Sequence, residues 1–211
     1  MPRKQSTNEQ MRDQRRAQIL SASLQLFASR GLAATRICDI AEAVPMAQGL
    51  VYHYFSCKEE IFTALIRHAF ERLNAACQEL EALQAPARDK VDMALRALLQ
   101  GFAEGEDAAR AHMLIAQATA STAIPDEARA ILARDSALPY EVMARILAQG
   151  QREGTIREAD VQQLALVFWT TIKGLAMHRA AHGQAAVMPE AEILMALFDA
   201  PLSTQGAARG A

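Results

Sequence analysis

Apolar residues recur every three or four positions along most of the chain, which is the spacing of one face of an α-helix. The first such stripe, Leu20, Leu24 and Phe27, predicts an amphipathic helix that ends at Gly31. Further stripes follow one another almost to the C-terminus. Alanine, leucine, glutamine and arginine are also frequent, and these residues favour helix over strand. The pattern therefore predicts an all-α fold.

Two short apolar stripes on either side of a break stand out in the first third of the chain. Ile37 and Ile40 give the first of these helices an inner face, and Pro45 ends it. Val51 and Phe55, four positions apart, give the second helix its own inner face. In a helix-turn-helix motif, the second helix lies in the major groove and its N-terminal residues contact base edges. The segment therefore predicts a DNA-reading element.

A specific combination of residues surrounds this break. It comprises the pair Ile40-Ala41, the run G-x-x-Y-x-Y-F from Gly49 to Phe55 and the triplet Lys58-Glu59-Glu60. Together with the preceding amphipathic helix, these features resemble the DNA-binding domain of the TetR family of transcriptional regulators. The motifs cover the first third of the chain, and the remainder agrees with the family in length and helical character.

The resemblance implies an architecture of two parts. Residues 13–73 would form an N-terminal three-helix DNA-binding domain, with the helix-turn-helix motif at residues 36–55. Residues 86–200 would form a helical domain that binds an effector and mediates dimerisation. Residues 201–211 are too polar and too small to build a core, and we expect a disordered tail there.

The turn between the two motif helices departs from the family pattern. The family usually has a small residue, glycine, an aliphatic residue and serine where this chain has Val44, Pro45, Met46 and Ala47. Serine caps the next helix by accepting a backbone N–H bond, and loss of such a cap costs about 1 kcal/mol. Because alanine offers no acceptor, we expect the recognition helix to lack this cap and the DNA contacts to differ at the turn.

The start of the recognition helix carries residues suited to reading bases. The amide of Gln48 can form two hydrogen bonds with adenine, and Leu50 can contact a thymine methyl group. Gly49 between them allows close approach of the backbone. These three residues are the predicted base contacts.

A second group of residues is suited to the phosphate backbone, which fixes the register of a protein on DNA. Thr35, Tyr52, His53 and Lys58 are predicted to contact phosphates, and Arg36 to contact either phosphate or base. For Lys58 the alternative is a solvated lysine at a helix start, and the family resemblance favours the phosphate role.

The charge distribution agrees with a DNA-binding head on an acidic body. The 211-residue chain has a net charge of −2, but residues 1–58 hold eight basic and four acidic side chains. The five histidines are scattered without a set of nucleophile, base and oxyanion donors, so we expect neither an enzyme nor a cofactor. A helical protein-interaction module is the alternative class, although it leaves the G-x-x-Y-x-Y-F run unexplained.

The C-terminal half contains large apolar residues that could line an effector pocket between helices. The candidates are Phe102, Met113, Met143, Trp169 and Met177. Methionine at helical spacing is also an ordinary core residue, so packing is the alternative for each of them.

Histidines and cysteines provide no convincing metal site. His178 and His182 are four residues apart on one helical face, but no third ligand lies nearby in sequence. Cys38, Cys57 and Cys77 lack metal-type spacing and are expected to be reduced thiols that serve as small hydrophobes.

The last two helices are candidates for a dimer interface. The segment 160–179 is the most apolar of the chain, and a shorter helix starts near Pro189. The resemblance implies a homodimer through these helices, which would read a palindromic operator on double-stranded DNA. Burial of the same surfaces inside one subunit is the alternative.

The predicted function is transcriptional repression by a dimer that a small-molecule effector releases from its operator. Activation of transcription is an open alternative. The sequence shows neither a membrane span nor a leader peptide, so we expect a cytoplasmic protein without a membrane partner.

Overall fold

The computed structural model describes residues 3–104 and 106–201, and most of these residues lie in helices. The helices, in chain order, are α1 (Arg3–Ala34), α2 (Ile37–Ala43), α3 (Gln48–Tyr54), α4 (Lys58–Ala82), α5 (Ala87–Glu104), α6 (Glu106–Ala120), α7 (Asp126–Asp135), α8 (Leu138–Arg152), α9 (Val161–His182) and α10 (Ala191–Met195). Within the same ranges the other regular elements are a 3₁₀ turn at Gly183–Ala185 and a bridge between Ile156 and Asp199. The all-α prediction is confirmed. Residues 202–211 of the predicted tail lie outside the described residues.

Helix α1 is interrupted where the sequence predicts its end. Gly31 has a φ of 77°, a left-handed backbone conformation that glycine adopts without steric cost. Three further residues complete α1, and Thr35 and Arg36 then lead into α2. The Thr35 hydroxyl then donates to the Gly31 carbonyl over 2.8 Å, which fixes the geometry of this corner.

The first hydrophobic core joins α1–α4 to two helices from further along the chain. Phe27, Ile40 and Phe55 are almost fully buried in it, as the stripes in the sequence predict. Leu114 of α6 and Ile131 of α7 belong to the same core. Two helices of the predicted effector domain are therefore packed directly against the predicted DNA-binding domain.

The second core lies among α5, α8, α9 and α10. Phe102, Met143, Phe168 and Phe198 are nearly inaccessible to solvent there. These side chains come from the apolar stripes that the sequence shows in this part of the chain. Full burial of one such side chain stabilises the fold by about 1.5–3 kcal/mol.

Helix α4 connects the two cores. It has 25 residues, which corresponds to a length of about 37 Å. Phe70 packs into the first core and Cys77 into the second. Polar contacts tie α4 to α7, because Arg67 forms an ion pair with Glu127 and Asn74 Nδ2 donates to the Asp135 carbonyl over 3.3 Å. A displacement of α4 would consequently change the packing of both cores.

The three cysteines are all free thiols in different environments. Cys77 is buried, and burial raises the pKa of its thiol to about 12, so it acts as the small hydrophobe that was predicted. Cys57 is half-buried and Cys38 is exposed. The expectation of a buried hydrophobe is therefore wrong for Cys38, because its position on α2 faces solvent.

Candidate nucleic-acid interface and internal cavity

The turn between α2 and α3 is closed by the backbone alone. The Val44 N–H donates to the Ile40 carbonyl and the Met46 N–H to the Ala41 carbonyl, over 3.1 and 3.0 Å. Ala47 is the N-cap residue of α3 and makes no side-chain cap, as its lack of an acceptor predicts. The recognition helix therefore begins at Gln48 with uncapped N–H groups.

The recognition helix α3 is oriented by its two inner residues. Val51 and Phe55 are buried, and this burial turns the opposite side of the helix to solvent. Most of the predicted DNA contacts of α3 lie on that exposed side: Gln48, Gly49, Tyr52 and His53. Leu50 is half-buried, which leaves part of its side chain for a thymine methyl group.

Thr35 does not belong to this surface, and its predicted phosphate contact is wrong. The side chain is fully buried, and its hydroxyl hydrogen is used by the Gly31 carbonyl. A phosphate cannot reach the hydroxyl without opening the corner between α1 and α2.

The predicted phosphate contact of Lys58 also needs correction. Its Nζ donates to the carbonyls of Leu32, Ala33 and Thr35 over 2.8, 3.2 and 2.9 Å. An ammonium group has three N–H donors, so all of them are used within the protein. Lys58 therefore ties the start of α4 to the end of α1, and its role is structural.

Arg36 is the exposed cation closest in sequence to this corner. Its backbone N–H donates to the Asp39 carboxylate over 2.8 Å, which caps the start of α2. Its side chain is exposed, and no hydrogen bond or ion pair within the described residues holds the guanidinium. The group is free to contact DNA.

Two arginines beside α3 were missed by the sequence reasoning. Arg12 and Arg16 of α1 line a surface cleft together with Asp13 and Tyr54. The guanidinium of Arg16 lies 4.3 Å from the centre of the Phe55 ring, at the end of the recognition helix. The basic run near the N-terminus was visible in the sequence, but its position beside α3 depends on how α1 packs.

A cavity of about 150 Å³, partly open to solvent, lies among α4, α6, α8 and α9. Its wall is mostly apolar, with contributions from Phe70, Leu73, Ile115 and Pro139. Trp169 is the predicted pocket residue that does line it. The Trp169 Nε1–H donates to the Pro139 carbonyl over 2.9 Å, so the indole ring is held in a fixed orientation.

The other predicted pocket residues lie elsewhere. Phe102 and Met143 are buried core residues, because the helices pack more tightly around them than their spacing reveals. Met113 is half-buried and does not line the cavity. Met177 is 52% exposed on the outer side of α9, so its assignment to a pocket is wrong.

The polar groups of the cavity come from residues that the sequence did not single out. His112 donates from Nδ1 to the Ala108 carbonyl over 3.0 Å, which leaves Nε2 as an acceptor. That Nε2 is buried and has no hydrogen-bond partner among the described residues. Lys173 Nζ donates to the Tyr140 hydroxyl over 2.8 Å. No sequence motif marks these residues, since they come from three different helices.

Replacement of His112 by glutamine is expected to make the protein less sensitive to acid. Burial lowers the pKa of His112 from 6.5, and the Lys173 ammonium adds to this effect against the opposing hydrogen bond to Ala108. The unfolded chain therefore takes up a proton near pH 6.5 that the folded chain refuses. The stability contributed by neutral His112 is present above that pH and is lost below it, by up to about 1.4 kcal/mol per pH unit.

Urea unfolding at a series of pH values between neutrality and acid checks this expectation. His68→Gln is the matched control, because His68 is exposed. An unchanged slope of stability against pH in His112→Gln would contradict the assignment.

The outer side of α9 carries an exposed stripe at spacings of three and four residues. Its members are Gln163, Val167, Thr170, Gly174, Met177 and Ala181. This is the period of a seam between two packed helices. Leu166 beside the stripe is also 52% exposed, and Ile193 of α10 and Leu197 just after it are 63% and 43% exposed.

Neither a metal site nor a membrane span is found in the described part of the chain. The His178 and His182 rings lie 4.4 Å apart, but no group of three or more potential ligands occurs there. No described helix is both long enough and apolar enough to cross a membrane.

Comparison with known proteins shows which class of protein this chain resembles. Residues 19–65 match the family described as "Bacterial regulatory proteins, tetR family". The HTH-type transcriptional repressor KstR2 of Rhodococcus jostii (strain RHA1) is 29% identical over 154 residues, which span 73% of this chain and 74% of that protein. The HTH-type transcriptional regulator BetI of Paraburkholderia xenovorans (strain LB400) is 34% identical over 82 residues, or 38% of this chain and 42% of BetI.

A solved structure agrees with the fold. The ketosteroid transcriptional regulator KstR2 of Mycobacterium tuberculosis superposes with a TM-score of 0.71 at 22% identity, over 89% of this chain and 96% of that chain. The fold, the exposed recognition helix and these relatives define a DNA-binding transcriptional regulator of the helix-turn-helix class. Residues 19–65 therefore carry a DNA-binding domain of the TetR family, and the regulators to which the chain is similar are regulators of that family.

Proposed function

We propose that the protein is a dimeric repressor that binds a palindromic operator and leaves it when a small molecule occupies the cavity among α4, α6, α8 and α9. As a regulator of DNA it would act in the cytoplasm. The observation that supports the proposal is that two residues of the cavity wall also belong to the hydrophobic core around the recognition helix. Phe70 of α4 and Ile115 of α6 line the cavity and belong to the core that holds the recognition helix.

Contacts from these walls continue to the DNA-binding helices. On α6, Gln117 Nε2 donates to the Ala28 carbonyl of α1 over 3.0 Å. At the start of α4, Lys58 holds the end of the same helix α1. A ligand that favours another position of α4 or α6 thereby favours another orientation of α3. A tenfold loss of operator affinity requires about 1.4 kcal/mol of such coupling.

The proposed DNA contacts divide into two groups. Gln48, Gly49 and Leu50 at the start of α3 would contact base edges, because this end of a recognition helix points into the major groove. The remaining groups would contact phosphates, and they comprise Arg36, Tyr52 and His53, with Arg12 and Arg16 added from the structure. The exposure of Arg12, Arg36, Tyr52 and His53 supports this arrangement. Arg16 is half-buried against Phe55 but lines the surface cleft beside α3.

Replacement of Gln48 by alanine is expected to change which DNA sequence is preferred. The amide is exposed at the first position of α3, and loss of a bidentate contact to a base costs about 1–3 kcal/mol. Selection of bound sequences from random DNA, carried out with wild type and Gln48→Ala, measures the change. Tyr52→Phe is the control, since loss of a phosphate contact weakens all sequences alike. Identical motifs from wild type and Gln48→Ala would remove the base-reading role.

The stripe on α9 supports a homodimer. Gly174 lies in the middle of this 22-residue helix, where glycine costs about 1 kcal/mol relative to alanine. A Cβ atom there would meet nothing within 4 Å, so packing inside the subunit does not require glycine. A second α9 approaching closely would require it. We propose that two copies of α9 pack along this stripe, with Ile193 of α10 and Leu197 just after α10 contributing to the interface.

A further inference from the structure

The cavity among α4, α6, α8 and α9 limits the size of its ligand. Its volume is about 150 Å³, and an apolar cavity of about that volume holds a molecule as large as benzene. Leu73, Ile115 and Trp169 present an apolar surface to the ligand. The body of the ligand is therefore apolar and has about six to ten heavy atoms. A polycyclic body would not fit without expansion of the cavity.

Lys173 brings a positive charge to the cavity wall. Its Nζ contacts the neutral hydroxyl of Tyr140, lies 5.3 Å from the centre of the same ring, and pairs with no carboxylate among the described residues. A half-buried ammonium without a counter-ion favours an anion beside it and disfavours a cation. The Tyr140 oxygen accepts from Lys173, so its own hydrogen can be donated to the same anion.

His112 adds a second requirement. Its Nδ1–H is used by the Ala108 carbonyl, and its buried Nε2 can only accept a hydrogen bond. A buried acceptor without a partner destabilises the site, and a ligand that donates an O–H or N–H to it removes that penalty. The cavity thus offers an anion site at Lys173 and an acceptor site at His112, beside the hydroxyl groups of Thr119 and Ser136, within a mostly apolar wall.

We propose that the effector is a small apolar monocarboxylic acid whose body carries a hydroxyl or N–H donor. The carboxylate binds Lys173 and Tyr140, the body packs against Trp169 and Leu73, and the donor binds Nε2 of His112. This inference rests on the proposed function, in which the cavity is the effector site.

Isothermal titration of the full chain with paired probes tests the ligand class. The probes are benzoate and the three hydroxybenzoates, each compared with its uncharged primary amide. Each acid is expected to bind at least about tenfold more tightly than its amide, which corresponds to the contribution of one charged hydrogen bond. At least one hydroxybenzoate is expected to bind more tightly than benzoate. Equal binding of acids and amides, or no binding of any acid at millimolar concentration, would overturn the proposal.

Variants at Lys173 and His112 assign the contacts. Lys173→Met is expected to remove the preference for acid over amide by weakening acid binding far more than amide binding, and Lys173→Arg is expected to restore the preference. Arg152→Met, which removes an exposed cation from α8, serves as the control and should behave as wild type. His112→Phe is expected to abolish the gain from the hydroxyl group without affecting benzoate. An acid preference that survives in Lys173→Met would contradict the assignment.

Failure of the ligand class and failure of the proposed function give different results. In one outcome, the acids bind with the expected selectivity while the affinity of the protein for selected DNA stays the same. That result would support the ligand class and contradict the proposal that binding in this cavity releases the protein from its operator. If no acid binds while the protein still binds selected DNA, the ligand class falls and the DNA-binding function stands. Fluorescence anisotropy of a labelled DNA duplex measures the affinity in both cases.

Discussion

Replacement of Gly174 by glutamate is expected to separate the dimer into monomers and to weaken operator binding by about 100-fold or more. The glycine lies at the centre of the exposed stripe on α9, where the proposed partner helix comes closest. A glutamate from each copy would place two like charges in a desolvated interface. Loss of the dimer removes the linkage of the two half-site contacts, which contributes about 10²–10⁴ in affinity.

Sedimentation velocity and anisotropy with labelled DNA measure the two effects of Gly174→Glu. The monomer should remain folded, because a Cβ atom at this position meets nothing within 4 Å. Circular dichroism checks the fold. Ala133→Glu is the matched control, since it adds the same charge to an exposed position of α7. A variant that stays dimeric with unchanged DNA affinity would exclude α9 as the interface.

Replacement of Lys58 by methionine is expected to destabilise the DNA-binding helices by about 2–3 kcal/mol. Three backbone carbonyls at the corner after α1 lose their donor, and hydrogen bonds to charged groups contribute about 1.5–3 kcal/mol each before compensation by water. Because the lysine is only half-buried, water replaces part of this loss. Urea unfolding of wild type and variant measures the change.

The salt dependence of DNA binding distinguishes this structural role of Lys58 from a phosphate contact. Each phosphate contact contributes about 0.9 to the slope of the logarithm of affinity against the logarithm of salt concentration. Under conditions where both proteins are folded, Lys58→Met should retain the wild-type slope. Arg36→Gln, at an exposed and unpaired cation, should lower the slope without loss of stability. A reduced slope in Lys58→Met would restore its phosphate contact.

The sequence predicted the structural features that depend on a single helix. The spacing of Val51 and Phe55 predicted which side of α3 is buried, and hence the exposure of Gln48 and Tyr52. Gly31 predicted the interruption of α1, because the backbone there has a positive φ. These properties follow from helical periodicity and local conformation, which are encoded within a few residues.

The sequence did not predict the structural features that depend on contacts between distant segments of the chain. The carbonyls that bind Lys58 lie 23 to 26 residues earlier in the chain, so no local pattern reveals them. His112, Tyr140 and Lys173 meet only because α6, α8 and α9 pack around one cavity. Met177 has the composition of a pocket residue but faces outward, since the rotation of α9 depends on its packing partners.

The most direct test of the central claim is selection of bound sequences from random double-stranded DNA by the wild-type protein. We expect an enriched motif made of two inverted half-sites, since a symmetric dimer presents two recognition helices to the DNA. The half-sites should be separated by about one helical turn or a multiple of it. Absence of any enriched sequence would contradict specific DNA binding. Enrichment of a single half-site without its inverted copy would contradict binding as a symmetric dimer.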